Sequence, residues 1–243
     1  MSIRTLVRRT AAASLVTLAP LHAATAHAQV TVGTAEPGGG LCLPLGCSHG
    51  QPSRYQQVYA ASAFGGAMDI GALTFHHTQF QPGAGLFAPV TLALAFSVTD
   101  RGAGALGTVF DDNVGSGARA FATVAIVGSA AAPTFTISGT PFHYDPALGN
   151  LLVDWRIIGP GDEFRFFGLN TYFDADYSGV LTSAVADHEF VPGFREAVTF
   201  DAGLVTTFTP AVSSVPEPAT TALLGLGLAG IGLLVRVRRR AEG

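Results

Sequence analysis

Val90-Thr91-Leu92-Ala93-Leu94-Ala95-Phe96-Ser97-Val98 decides the fold class. Val90, Leu92, Leu94, Phe96 and Val98 alternate with Thr91, Ala93, Ala95 and Ser97. Successive side chains on a strand point to opposite faces, so this stretch has one large apolar face and one small or hydroxylated face. A helix would scatter the five large residues around its circumference. The same period runs through Leu151 to Ile158, where Leu151, Val153, Trp155 and Ile157 share a face and Asp154 and Arg156 take the other.

Working outward, Phe121 to Val127 and Thr134 to Ser138 read as shorter strands. Arg54 to Tyr59, Met68 to His76, Phe164 to Tyr172 and Val198 to Phe208 complete the set. Turn residues separate them at Gln81-Pro82-Gly83, Asp111-Asp112-Asn113 and Gly159-Pro160-Gly161. No long amphipathic helix and no internal repeat interrupts the series. The expected architecture is all-β, an antiparallel β-sandwich of jelly-roll-like winding over residues 53–212, because two packed sheets give every strand one buried face.

Composition bounds the function. The chain has 243 residues, 48% hydrophobic and 12% charged, with 30 Gly and 14 Pro, which argues against disorder. Lysine is absent, so all 13 basic residues are arginine. Seven of them stand at the two ends, leaving six between Gln29 and Ser214 against 15 acids, a formal charge of −9 for the body. Such a body is repelled by phosphate, and the pI of 5.9 points the same way, so nucleic acid is not an expected partner.

Both ends read as delivery signals. Arg4, Arg8 and Arg9 precede the small, apolar stretch Thr10 to Ala26, and Ala26-His27-Ala28 supplies a small-x-small cleavage site before Gln29. Residues 1–28 therefore read as a secretory signal peptide, served by the Sec translocon and signal peptidase. At the other end, residues 219–235 are 17 residues without a charge, about 26 Å as a helix and close to the minimum for a bilayer core. This reads as a single transmembrane helix. Arg236, Arg238, Arg239 and Arg240 lie in the tail 236–243, which the positive-inside rule leaves in the cytoplasm.

Val215, Pro216, Glu217 and Pro218 stand just before that helix, in a segment two prolines keep extended. Pro-Glu-Pro, an apolar helix and an arginine cluster, in that order over residues 213–243, resemble the PEP-CTERM sorting signal of bacteria. The resemblance implies recognition by exosortase, a membrane-embedded, cysteine transpeptidase-like enzyme that removes the helix and tail. Val215 to Pro218 are then substrate residues. It further implies an inner-membrane-anchored precursor delivered to the cell surface or extracellular matrix, in a bacterium that makes extracellular polysaccharide.

Parts of the body also resemble ectodomains found before such signals. The stretches are Arg54-Tyr55-Gln56-Gln57-Val58-Tyr59 with Ser62 and Phe64, then Phe110-Asp111-Asp112-Asn113-Val114-Gly115, then Phe142-His143-Tyr144-Asp145-Pro146-Ala147-Leu148-Gly149-Asn150-Leu151-Leu152-Val153. In similar sequences an acid often follows the tyrosine that ends the first stretch, where Ala60 stands here. That family carries no assigned activity, so the resemblance implies fold and location only.

Between signal and body, residues 29–52 form a Gly/Pro-rich lead-in loop holding the chain's two cysteines. In an oxidising compartment Cys42 and Cys47 are expected to form a local disulfide; a metal site would need more than Cys42, Cys47 and His49.

Chemistry is sparse. Asp174-Ala175-Asp176-Tyr177-Ser178-Gly179 has the opening of a calcium loop, with Asp174, Asp176 and Ser178 as candidate ligands, yet Val185 stands where an EF-hand needs its closing Glu. The plainer reading is a polar turn. Asp111-Asp112-Asn113 has the same two readings. His76 and His77 would point to opposite faces of a strand, and His143 and His188 are isolated. No Gly-x-Ser-x-Gly elbow occurs, and Asp162-Glu163 sits in a turn. Tyr55, Tyr59, Tyr144 and Tyr172 are candidate sugar-stacking rings unless they pack in the core. The expectation is a non-enzymatic, structural or adhesive protein beside polysaccharide, with no cofactor. The alternatives are a calcium-dependent carbohydrate-binding module and a secreted hydrolase.

Overall fold

The structure, a computed structural model, describes residues 28–44, 53–78, 86–129, 133–158, 171–191 and 194–211. The signal peptide other than Ala28, Cys47, His49, the Asp162-Glu163 pair, most of the Phe164 to Tyr172 strand, the sorting motif and the transmembrane helix lie outside the described residues.

Twelve strands occur among those described: β1 Val30–Val32, β2 Arg54–Tyr59, β3 Met68–His76, β4 Leu86–Thr99, β5 Ser116–Ser129, β6 Thr134–Tyr144, β7 Asn150–Ile158, β8 Ala175–Asp176, β9 Thr182–Val191, β10 Phe194–Phe200, β11 Gly203–Leu204 and β12 Thr206–Pro210. They make a four-stranded sheet in the order β1-β12-β3-β6, a six-stranded sheet in the order β10-β9-β2-β7-β4-β5, and the small pair β11-β8. Every pairing is antiparallel.

Alternation places the core between the two large sheets. Tyr55 and Tyr59 of β2, Leu92, Leu94 and Phe96 of β4, and Trp155 of β7 point inward from the six-stranded sheet; Ile70, Leu73 and Phe75 of β3 and Phe208 of β12 meet them from the other. Ring contacts stitch the sheets. Tyr59 meets Phe208 edge-on with centroids 4.9 Å apart, Phe75 lies 5.1 Å from Trp155, and Phe96 lies 5.3 Å from Phe142. Each such pair adds about 0.5–1.5 kcal/mol beyond its buried area.

The six-stranded sheet is covered on its outer face as well. Val58, Leu152 and Val185, all pointing away from the main core, form a second cluster with Leu106, against which Phe110 and Val114 pack. The connection from β4 to β5 thus folds back as a third layer. Antiparallel sheets commonly leave one face wet; here the centre of the larger sheet is dry on both.

Several segments differ from the sequence expectation. The lead-in loop contributes β1, whose register is Val30↔Phe208, Thr31↔Thr207 and Val32↔Thr206. β9 was not foreseen. The single strand expected over Val198 to Phe208 is instead the end of β10, a bend at Asp201, β11 and β12, and Gly203 permits this because a Cβ there would strike Thr182.

Candidate functional site

A network of polar side chains lies on the outer face of the six-stranded sheet, where β2 presents Arg54, Gln56 and Val58. The Arg54 guanidinium forks onto Asp154 of β7, with Nε 3.0 Å from Oδ1 and a terminal nitrogen 2.7 Å from Oδ2. Its other terminal nitrogen reaches Asp111 at 2.7 Å, and the Phe110 ring lies under the cation at 5.1 Å. Burial works against the Arg54 charge, but the two carboxylates outweigh it and raise its pKa. Asp111, solvent-exposed, is held below the ordinary carboxylate range by the Arg54 hydrogen bond. Asp187 of β9 accepts the Arg54 backbone N–H at 2.9 Å and the Ser53 hydroxyl.

Two residues further along β2, Gln56 donates to the Phe110 carbonyl at 3.0 Å and accepts from Asn113 at 3.0 Å. Asn113 also donates to the Gly107 carbonyl and accepts its N–H, both at 2.8 Å. Asn150 donates to the Arg101 carbonyl and accepts from the Ala61 N–H. The three stretches set apart in the sequence therefore converge. The first supplies Arg54 and Gln56, the second Phe110, Asp111 and Asn113, and the third Asn150. Their shared work is to strap the β4–β5 connection onto the sheet.

Gly115 makes the strap possible, since a Cβ there would run into the Val98 carbonyl. The sequence marked the three stretches but not their contact. The usable signal is the pair Arg54 and Gln56 at alternate, outward positions of a strand.

In the stretch Asp174 to Gly179, Ala175 and Asp176 form β8, and the chain bends only from Ser178 on. Asp176 is 3% exposed. Its Oδ2 accepts the Thr34 N–H at 3.1 Å and its Oδ1 the Ser178 N–H at 2.8 Å. Burial alone would raise its pKa; the hydrogen bonds from Ser178 and Thr34 prevail and lower it. The Asp174 backbone bonds His76 and Val205, and the Ser178 hydroxyl accepts from the Val180 N–H. Among the described residues no three His, Cys, Asp or Glu side chains group to hold a metal.

The remaining candidates are spread apart. Tyr55, Tyr59 and Tyr144 lie in the core, with hydroxyls bonded to Gln57, Thr206 and the Gly149 carbonyl. His76 bonds the Thr207 hydroxyl at 2.9 Å, and His143 meets Asp69 at 2.8 Å on the outer face of the smaller sheet. Cys42 is disulfide-bonded.

Residues 214–240 match the family model of the PEP-CTERM protein-sorting motif. No curated protein and no solved structure matches the chain. The motif marks an exported protein that exosortase processes and that is sorted to the cell surface.

Proposed function

We propose that this chain, an exosortase substrate by its sorting motif, is a non-enzymatic structural or adhesive component of the bacterial envelope or extracellular matrix, associated with extracellular polysaccharide. One observation carries the reading: residues 214–240, which follow the last strand β12 (Thr206–Pro210) directly in sequence, match the sorting motif. The β-sandwich is the cargo and the motif its delivery tag. In this reading residues 1–28 are a cleaved signal peptide, residues 219–235 hold the precursor in the inner membrane, and Cys42 pairs with Cys47.

The polar side chains of the body support a non-catalytic role. Arg54, Gln56, Asn113, Asn150, Asp154 and Asp176 are all engaged in bonds that hold strands and loops together. The alternation of β1, β2, β3 and β4 between the two large sheets supports a jelly-roll-like winding.

The test is replacement of Pro216, Glu217 and Pro218 by alanine. Export is expected to persist while removal of the C-terminal helix stops, as read by mass spectrometry of the cellular protein. A C-terminus processed as in the wild type would refute the sorting role. Co-sedimentation of the purified body with the host's own extracellular polysaccharide, with and without a calcium chelator, tests the association. Binding that chelation abolishes would favour a calcium-dependent carbohydrate module instead.

A further inference from the structure

The outer face of the four-stranded sheet carries a row of threonines that runs across all its strands. Register places Thr31 of β1 opposite Thr207 of β12, Thr207 opposite Thr74 of β3, and Thr74 opposite Thr136 of β6. The Thr31 and Thr207 hydroxyls lie 2.8 Å apart, as do those of Thr74 and Thr136. Thr31 and Thr136 are exposed and Thr74 is half-buried, while Thr207 lies lower and also bonds His76 at 2.9 Å. At ordinary strand spacing the row is about 14 Å long, enough for a few sugar rings. In the next row Thr209, Ala72 and Ser138 stand in register, and Gln29 donates to Thr209 at 3.2 Å. None of these residues is an arginine or a carboxylate, on a body of formal charge −9.

The row ends at a groove. β6 is the edge of its sheet and β5 the edge of the other. Between them opens a space of about 250 Å³ walled by Val124, Ile126, Phe135 and Ile137, with Thr136 and Ser138 in its lining. A sugar ring has the matching chemistry: C–H faces that pack on apolar side chains, and rim hydroxyls that both donate and accept. A bonded pair of threonine hydroxyls uses one proton internally, so each pair keeps a second proton and free lone pairs for a ligand. Twist decides against a flat lattice such as ice. Adjacent strands turn by about 20–25°, hence about 60–75° across the four, and a single glycan chain can follow that turn where a crystal plane cannot.

We propose that this face, from the threonine row to the β5–β6 groove, docks a chain of an uncharged, hydroxyl-bearing polysaccharide. The proposal rests on the reading of the protein as associated with extracellular polysaccharide and adds the surface and the charge class of the glycan. Hydroxyl contacts and not ion pairs hold the ligand, so binding is insensitive to salt.

The test takes the exported protein from its host and the host's extracellular polysaccharide, split by anion exchange into neutral and acidic fractions. In affinity electrophoresis the wild type is expected to be retarded by the neutral fraction, equally at low and high salt. Thr31→Val with Thr74→Val and Thr136→Val keeps shape and strand propensity but removes three hydroxyls, and is expected to weaken binding about tenfold or more. Thr31→Ser with Thr74→Ser and Thr136→Ser keeps the hydroxyls and is expected to bind as the wild type does. Hydroxyl-radical footprinting of the wild type, which needs no variant, is expected to show protection of His76 and Phe135 but not of the exposed Phe194. Neutral-fraction binding that survives the valine variant, or that leaves His76 and Phe135 unprotected, would overturn the face while leaving the association intact. Retardation by the acidic fraction alone would overturn the charge class and the proposal with it. Retardation by neither fraction would overturn the association itself. Ice shaping or dimer formation that the valine variant loses would make a crystal lattice or a second copy the occupant, and overturn the proposal.

Discussion

The Gln57 carboxamide satisfies both backbone groups of Leu204: its Nε2 donates to the Leu204 carbonyl at 2.9 Å, and its Oε1 accepts the Leu204 N–H at 3.0 Å. A side chain here does the work of a neighbouring strand. The same Nε2 donates to the Thr182 hydroxyl and the same Oε1 accepts from Tyr55, both at 2.8 Å. The group is fully buried and fully satisfied, which is the condition under which a polar network holds a core together instead of weakening it.

Gln57→Leu keeps the volume near its original value but takes the partner from the Leu204 N–H and from the Tyr55 hydroxyl, while the Leu204 carbonyl keeps the Thr206 hydroxyl at 3.0 Å. A buried unsatisfied group costs about 1–3 kcal/mol. The variant is expected to lose on the order of 3 kcal/mol or more in urea unfolding, with little change in slope. A loss under 1 kcal/mol would show that β11 is held by other contacts.

Asp154 and Asp111 both bond Arg54 but differ in burial. Asp154→Ala leaves a largely buried guanidinium with only the exposed Asp111 as its carboxylate partner and is expected to cost about 2–3 kcal/mol, somewhat below the range for a fully buried pair. Asp111→Ala removes an exposed partner and is expected to leave the melting temperature unchanged within error. A double-mutant cycle with Arg54→Met separates pair energy from stranding. The double variant is expected to be more stable than Asp154→Ala alone.

Acid should loosen the strap between Asp176 and Thr34. The folded pKa of Asp176 is lowered, so its contribution is complete above the unfolded carboxylate value of 3.8 and is lost as pH falls through the folded value. Stability measured downward from pH 5 is expected to decline below about pH 4. Asp176→Asn is expected to be less stable at pH 7 and to show a shallower decline. A parallel decline in the two proteins would count against the role given to Asp176.

Gly139 lies where β6 crosses over β5, and an added Cβ would meet the Phe121 carbonyl and ring. Overpacking of this kind costs about 1–3 kcal/mol. Gly139→Ala is expected to lower the unfolding midpoint accordingly. Gly65→Ala, in open space at the surface, serves as the control and should not.

The disulfide closes a short loop if Cys42 pairs with Cys47. Chain-entropy arithmetic for a loop of that length gives about 2 kcal/mol. Reduction, or Cys42→Ala with Cys47→Ala, is expected to cost about that much. A free thiol detected in the exported wild type would remove the premise.

How much of the fold could be read in advance follows from which strands obey simple alternation. Arg54–Tyr59 and Met68–His76 carry the expected bounds because turn-forming residues flank a clean pattern. β4 begins four residues earlier than expected, since Pro89 falls at a register shift between Phe87 and Val90, where a strand tolerates proline. β6 runs on past Gly139 and Pro141 by means of a bulge opposite Gly71. β9 escaped notice because its inward positions are Ala184 and Ala186 while Val185 is buried outward beneath the β4–β5 connection, so its two faces carry no hydrophobic contrast. The polar network was hidden for a different reason. Arg54, Asp111 and Asp154 are far apart in sequence, and a salt bridge between distant charges leaves no local pattern.

Gln29 and Thr209 lie side by side, so the body begins and ends at one place on its surface. Nature's order of the strands is then only one of several that the same packing admits. A short peptide bridging Gln29 to Ala211, with the chain reopened between Gly65 and Gly66, would yield a circular permutant with its core undisturbed. Such a permutant would move the tethering point from Gln29 and Ala211 to Gly65 and Gly66.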